Sequence, residues 1–277
     1  MVDKCKALFS RKKSTSRPFK DYYAEFIEDL RNTDLPLLRR SMAAPSPAEN
    51  ILAAHVEAIH RRFQGYYDAL DLAAVADVAP VMFPEWRNAL ERPFLWLGDL
   101  HPYLFMNLLR SFLEEKEEEE DKGDRAGVKI GIPKAISETP QRINEPWHMA
   151  TAWNSPSKFL RTRVEQIECG LRLMVPALAS RARTAQASFA QRVGAEWRRC
   201  EERNPAVVAG AAAAEMEELA GVLVDANRLR RSVLADIISA TTVYQAALFL
   251  EALAQFFVGF RDKELLQEFQ RSKLLLN

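Results

Sequence analysis

Residues 155 to 203 read SPSKFLRTRVEQIECGLRLMVPALASRARTAQASFAQRVGAEWRRCEER. Their apolar positions, Phe159, Leu160, Val164, Ile167, Leu171, Met174, Leu178, Ala182, Ala185, Phe189, Val193 and Trp197, recur every three or four residues, as one face of a helix requires. A period of two is absent. Ser155 and Pro156 open the segment with a capping hydroxyl and a proline suited to the first helical position. Uninterrupted, the helix is about 70 Å long at ~1.5 Å per residue, and Gly170 and Pro176 are where a kink is expected.

The same period extends in both directions. Toward the C-terminus, Asn204-Pro205 starts a helix whose stripe runs Met216, Leu219, Val222, Leu223, Ala226, Leu229, Val233, Ile237. Arg228, Arg230 and Arg231 read as its solvated face. Thr241, Thr242 and Val243 mark a change of direction before a last helix from Ala246 to about Phe269. Toward the N-terminus, Phe19, Tyr22, Tyr23, Phe26 and Leu30 form one stripe, which Pro36 bends or interrupts. Ser46-Pro47-Ala48-Glu49 is a capping-box start for a helix carrying Ile51, Leu52, His55, Val56, Ile59, Phe63, Tyr66, Tyr67 and Leu70. A third segment runs to about Ala89, and His101-Pro102 opens another through Leu104, Leu108, Leu109 and Phe112. The expected fold is all-α, a bundle of long antiparallel helices with no sheet.

Two segments stand apart. Residues 1–17 form a basic arm, with Arg11, Lys12 and Lys13 at its centre, and read as disordered. Residues 114–121, EEKEEEED, hold seven acids, Glu117, Glu118, Glu119 and Glu120 among them. They open a Pro/Gly-bearing linker over 114–155, in which Trp147 and Trp153 are expected to pack on the core. The organisation is therefore an arm over 1–17, a domain over 18–270 made of helical halves 18–113 and 156–270, and a tail over 271–277.

Across 277 residues, 38 Lys and Arg balance 38 Asp and Glu, which removes the global positive field that non-specific nucleic-acid binding needs. The basic arm and the acidic run remain as local segments able to set localisation or contact a partner. Three cysteines without CxxC spacing point to a reducing compartment, and no apolar run reaches the ~18 residues of a membrane span. His55 and His60 face apart on one helix, and His101 and His148 read as structural. Neither a nucleophile elbow nor a phosphate-binding glycine loop is written in the chain. No catalytic residue and no metal ligand is expected.

The landmarks are specific in combination. Phe19 with Tyr23, then Phe63 with Tyr66-Tyr67, then Trp86-x(4)-Glu91-Arg92-Pro93-Phe94-Leu95-Trp96-Leu97-Gly98, then Asn227-x-Leu229-Arg230, together resemble the plant Delay-of-Germination (DOG) domain, which also forms the C-terminal part of TGA-type bZIP transcription factors. The resemblance covers roughly residues 18 to 270, and Phe94 to Pro102 with the acidic insertion is most similar to its pollen aperture-factor branch. It implies a non-enzymatic protein acting through contacts with other proteins, at plasma-membrane domains of developing pollen where exine is not deposited. The second reading it implies is a nuclear co-regulator or phosphatase-binding dormancy regulator, with room for a small apolar ligand. With no basic zipper segment before the domain, direct DNA binding is not expected. With no histidine after His148, haem is not expected, and no other cofactor is implied.

Overall fold

In the computed structural model, residues 17–44, 48–114, 147–199 and 204–274 are described. Helix α1 (Phe19–Asp29) passes through a π-helical turn (Leu30–Asp34) into α2 (Leu35–Met42). Pro36 explains the turn: it has no N–H for the carbonyl one turn back, and the wider turn ahead of it absorbs the misfit. α3 (Glu49–Ala76) and the single turn α4 (Ala79–Met82) follow, so the expected third segment is short and gives way to loop. The capping role read for Ser46 lies outside the described residues.

The expectation of no sheet is corrected. Leu95–Trp96 (β1) and Asp99–Leu100 (β2) form an antiparallel ladder with Leu95 opposite Leu100 and Trp96 opposite Asp99. Strands of two residues contain no alternation, so no periodicity could announce them. α5 (Tyr103–Glu114) then packs against the bundle. A short helix, α6 (Trp147–Ala150), falls inside what was read as linker, and the two tryptophans there divide: Trp153 is buried and stacks on Phe112 at 5.1 Å, whereas Trp147 is 77% exposed.

The long helices are α7 (Lys158–Trp197) and α8 (Pro205–Ala240), packed antiparallel. α7 is capped by Ser157, whose hydroxyl accepts from the Leu160 amide at 3.0 Å, two residues beyond the expected start. It runs through Gly170 and Pro176 as one helix, with Pro176 on its exposed side. α8 starts as read, with the Asn204 side chain accepting from the Ala206 amide. Thr242 and Gln245 close a capping box at α9 (Val243–Gly259), so the expected turn is there. The last helix is in fact two, since the chain bends by 61° before α10 (Lys263–Leu274). No single helix among the described residues is long and apolar enough to cross a membrane.

One hydrophobic core draws on both ends of the chain. Phe26 of α1 stacks on Tyr66 of α3 at 4.5 Å, while Phe257 of α9 meets Phe26 and Phe63 edge to face at 5.8 and 5.3 Å. Gln245 joins the capping box to the loop before α7 by donating to the Ala152 carbonyl. The apolar stripe of α7 is thinner than its period suggests: Phe159 is 64% and Trp197 62% exposed. Accordingly, Phe257→Ala should cost about 3–5 kcal/mol of stability and Trp197→Ala less than about 0.5 kcal/mol, as read by denaturant unfolding.

Candidate functional site

The sequence between α4 and α5 contains Arg87, Glu91 and Asp99 within an otherwise apolar and aromatic stretch, and all three are buried. Burying a charge is costly unless it is paired and hydrogen-bonded. Here each has a partner. Arg87 reaches Glu91 at 3.3 Å and Asp99 at 2.8 Å, and its guanidinium lies 3.9 Å from the centre of the Tyr23 ring. The Tyr66 hydroxyl accepts from Arg87 at 2.7 Å and donates to the same Asp99 oxygen at 2.9 Å. Arg261 approaches Glu91 from the rim at 3.6 Å. Burial pushes the Glu91 carboxyl up from its ordinary value, against the pull of Arg87 and Arg261.

Beneath this cluster, α8 supplies a second buried cation. Arg230, read from sequence as part of a solvated face, is fully buried. That reading fails because the residues that solvate Arg230 are backbone carbonyls distant in sequence. Its Nε donates to the Leu100 carbonyl at 2.7 Å, and one terminal nitrogen serves the carbonyls of Trp96, Leu97 at 3.3 Å and Asp99 at 3.2 Å. The other terminal nitrogen donates to the Asn227 side chain at 2.6 Å, which in turn donates to Asp71 of α3. Burial lowers the Arg230 pKa, and Asp99 opposes the shift. Arg228 stays exposed as read, and Arg231 is partly buried against Asp68 and Asp71.

What Arg230 holds is the β1–β2 hairpin. Its two-residue tip puts Leu97 at φ 45° and Gly98 at φ 84°, the pair of positive angles that joins tightly twisted strands. Gly98 is required twice over. A Cβ there would meet Leu223 Cδ1 and the Val81 carbonyl oxygen, each at 2.8 Å. Gly98 therefore lets the tip lie against α8 and α4.

The structure places the other motif residues around this hairpin. Phe19, Tyr23 and Phe63 belong to the aromatic core, and Trp86 donates its indole N–H to the Pro80 carbonyl. Exposed Arg92 fixes the loop by donating to the carbonyls of Arg87 and Glu85. Phe94 packs on Phe256 and Phe260 at 5.5 and 5.7 Å, and Leu229 is half-buried on α8. Trp96 and Tyr103 sandwich His101 at 5.1 and 5.3 Å. Arg87, Asp99, Tyr66 and Arg261 were not singled out from sequence as members of one polar cluster. A charge at Arg87 and another inside FLWLGDL were the available signals. Arg11, Lys12, Lys13, Glu117, Glu118, Glu119 and Glu120 lie outside the described residues. No group of three or more His, Cys, Asp or Glu among the described residues is placed to hold a metal ion.

Arg87, Glu91 and Asp99 are buried and face one another, with Arg87 Nε and Asp99 Oδ2 left without a hydrogen-bond partner among the described residues. This is an architecture of a positioning kind: the buried arginines fix the hairpin, the hairpin fixes the aromatic surface of Trp96, His101 and Tyr103, and a helical bundle surrounds both. Such a bundle with the ER.FLW.G hairpin is a DOG-type domain, and the chain matches the family model described as Seed dormancy control over residues 34–111. The chain belongs to the Inaperturate Pollen family of plant DOG-domain proteins. It is 43% identical to Protein INAPERTURATE POLLEN1 of Arabidopsis thaliana over 95% of this chain and 97% of that protein. It is 34% identical to the Inaperturate Pollen 1 homolog of Oryza sativa subsp. japonica, over 93% and 90%. A shorter match, 32% identical over 36% of this chain and 30% of the relative, is to Transcription factor TGA2.3 of the same rice. None of these relatives is named as an enzyme.

Two outcomes follow from the site. Arg230→Met should cost about 3–5 kcal/mol because it strands buried carbonyls and unbalances Asp99, whereas Arg228→Met should change stability by no more than about 0.5 kcal/mol in the same melts. His101 adds a pH dependence: burial first, then Arg230, lowers its pKa, and its Nδ1 accepts from the Tyr103 amide at 3.2 Å. A lowered folded value means its stabilisation is present above the unfolded value of about 6.5 and lost as pH falls through the folded one. Glu91, with a raised folded value, runs the other way: its contribution is present below the unfolded carboxyl value and lost as pH rises. Thermal melts of His101→Gln should lose less stability between pH 7 and 5 than the parent chain does.

Proposed function

We propose that this protein is a non-enzymatic DOG-domain factor required for pollen aperture formation, acting through contacts with other proteins. In this reading it marks plasma-membrane domains that are kept free of exine, associating with the membrane peripherally and otherwise residing in the cytoplasm. The observation that carries it is the near full-length match to Inaperturate Pollen1, continuous across both helical halves and not confined to the shared domain core. The buried cluster supports it, because Arg87, Glu91 and Asp99 are enclosed by the bundle and pair with one another. Function then belongs to the outside of the bundle. Neither haem nor another cofactor has a part in the proposal.

A second reading, a nuclear co-regulator or dormancy-type regulator, draws on the partial match to TGA transcription factors. It assigns the basic arm to nuclear import. The two readings separate in one experiment: the full chain, fused to a fluorescent protein, is expressed from the native promoter of the Arabidopsis relative in a mutant lacking that relative. The expected result is restored apertures with fluorescence at discrete peripheral domains of developing pollen. Nuclear fluorescence without restored apertures would favour the second reading.

A further inference from the structure

The α7–α8 hairpin reaches beyond the part of the bundle that packs on it. Helix α7 alone, with 40 residues, is about 60 Å long at ~1.5 Å per residue. Antiparallel register is fixed by Arg163 with Asp236, by Arg181 with Glu218 and Asp225, and by the Glu196 carboxylate accepting from the Asn204 amide. Two helices alone enclose little. Beyond Ala185 on α7 and before Leu219 on α8, the buried residues among those described are Val193, Glu196 and Ala211. Along one flank lies a groove of about 480 Å³, whose lining includes Ala177, Thr184, Ala185, Ser188, Ala211 and Ala214.

The groove's walls differ in charge. Arg192 stands on the α7 wall and Glu215 on the α8 wall, and neither has an ion pair or hydrogen bond among the described residues. Burial raises the Glu215 pKa, which agrees with a carboxylate set into a groove and not thrown into solvent. Met174, 44% exposed, continues the Arg181 face of α7, and Val207, 42% exposed, continues the Ala214 face of α8. Each lies seven residues, nearly two turns, before the residue it continues.

We propose that this face of the hairpin packs on the same face of a second copy of the chain, forming a symmetric four-helix contact. The charges select the geometry. With a two-fold axis across the hairpins, α7 would lie on α7 and set arginines against arginines. With the axis along the hairpins, α7 of one copy lies on α8 of its partner, so the basic wall meets the acidic one twice over. The small lining residues Ala177, Ser188 and Ala214 let the backbones approach. Arg192 and the partner's Glu215 sit about seven residues apart in level, on helices of opposite direction, and because helical side chains lean toward their own N-terminus the two lean toward each other. The proposal rests on no part of the aperture reading.

Sedimentation equilibrium of the full chain tests it. The expected result is a dimer whose affinity falls more than about tenfold in Arg192→Glu and in Glu215→Arg and recovers in the double reversal, since like charges then become opposite ones again. Ala214→Arg, which fills the groove, should be monomeric with an unchanged melting temperature, and serves should a charge reversal fail to fold. A chain that is monomeric up to about 100 μM, a dimer indifferent to the reversals, a double variant that does not recover, or a dimeric Ala214→Arg each overturns the proposal. A groove that serves a different protein's helix gives the first of these.

Discussion

A single guanidinium, that of Arg230, is the constraint on which the rest of the site depends. A two-residue hairpin has too few ladder bonds to persist by itself, and its tip spends conformational energy on a leucine at positive φ. Arg230 answers both problems from outside the hairpin. Its donors reach the carbonyls of Trp96, Leu97, Asp99 and Leu100, so α8 takes the place of a third strand. Because Arg230 is also tied to Asn227 and thence to Asp71, the hairpin, α3 and α8 are held as one unit.

The energetic logic is specificity more than stability. Removing four charged side chains, Arg87, Arg230, Glu91 and Asp99, from water costs several kcal/mol for each ion, and the pairing returns about as much as was lost. Apolar replacement of all four together could pack equally well, but it could not dictate which loop lies where. The paired charges do, since any other placement of the loop leaves one of them alone. What the arrangement delivers is a fixed outer surface: Trp96, His101 and Tyr103 stacked at the bundle's side, with Phe94 seated on Phe256 and Phe260. A motif that is distinctive in sequence thus does its structural work inside.

Helix content was legible because a buried helical face leaves a period of 3.6, and the stripes over α1, α3, α8 and α9 lie where that period places them. Capping chemistry located the start of α8, and the β-branched run Thr241 to Val243 marked the turn before α9, whose capping box was not read. The hairpin was not legible, since it owes its existence to an arginine 130 residues away from the carbonyl it holds. Arg230 looked solvated because its two arginine neighbours in sequence are typical of an outer face. Burial of a cation is decided by acceptors, and those lie on another element. The same holds for Trp197, whose position continues the apolar stripe but whose stretch of helix extends past anything that could cover it. Of the site, the residue types and their order could be read, and the fact that they close on each other could not.

The most direct test of this account is amide hydrogen exchange along the FLWLGDLH segment, read residue by residue. If Arg230 locks the hairpin to α8, the Trp96, Asp99 and His101 amides of the parent chain should exchange only through global unfolding, with protection equal to that of the core of α3. In Arg230→Lys, which keeps the charge and loses the planar fork of donors, those amides should exchange by a local opening while α3 stays protected. Exchange of these amides in the parent chain at the rate of an exposed loop would contradict the account.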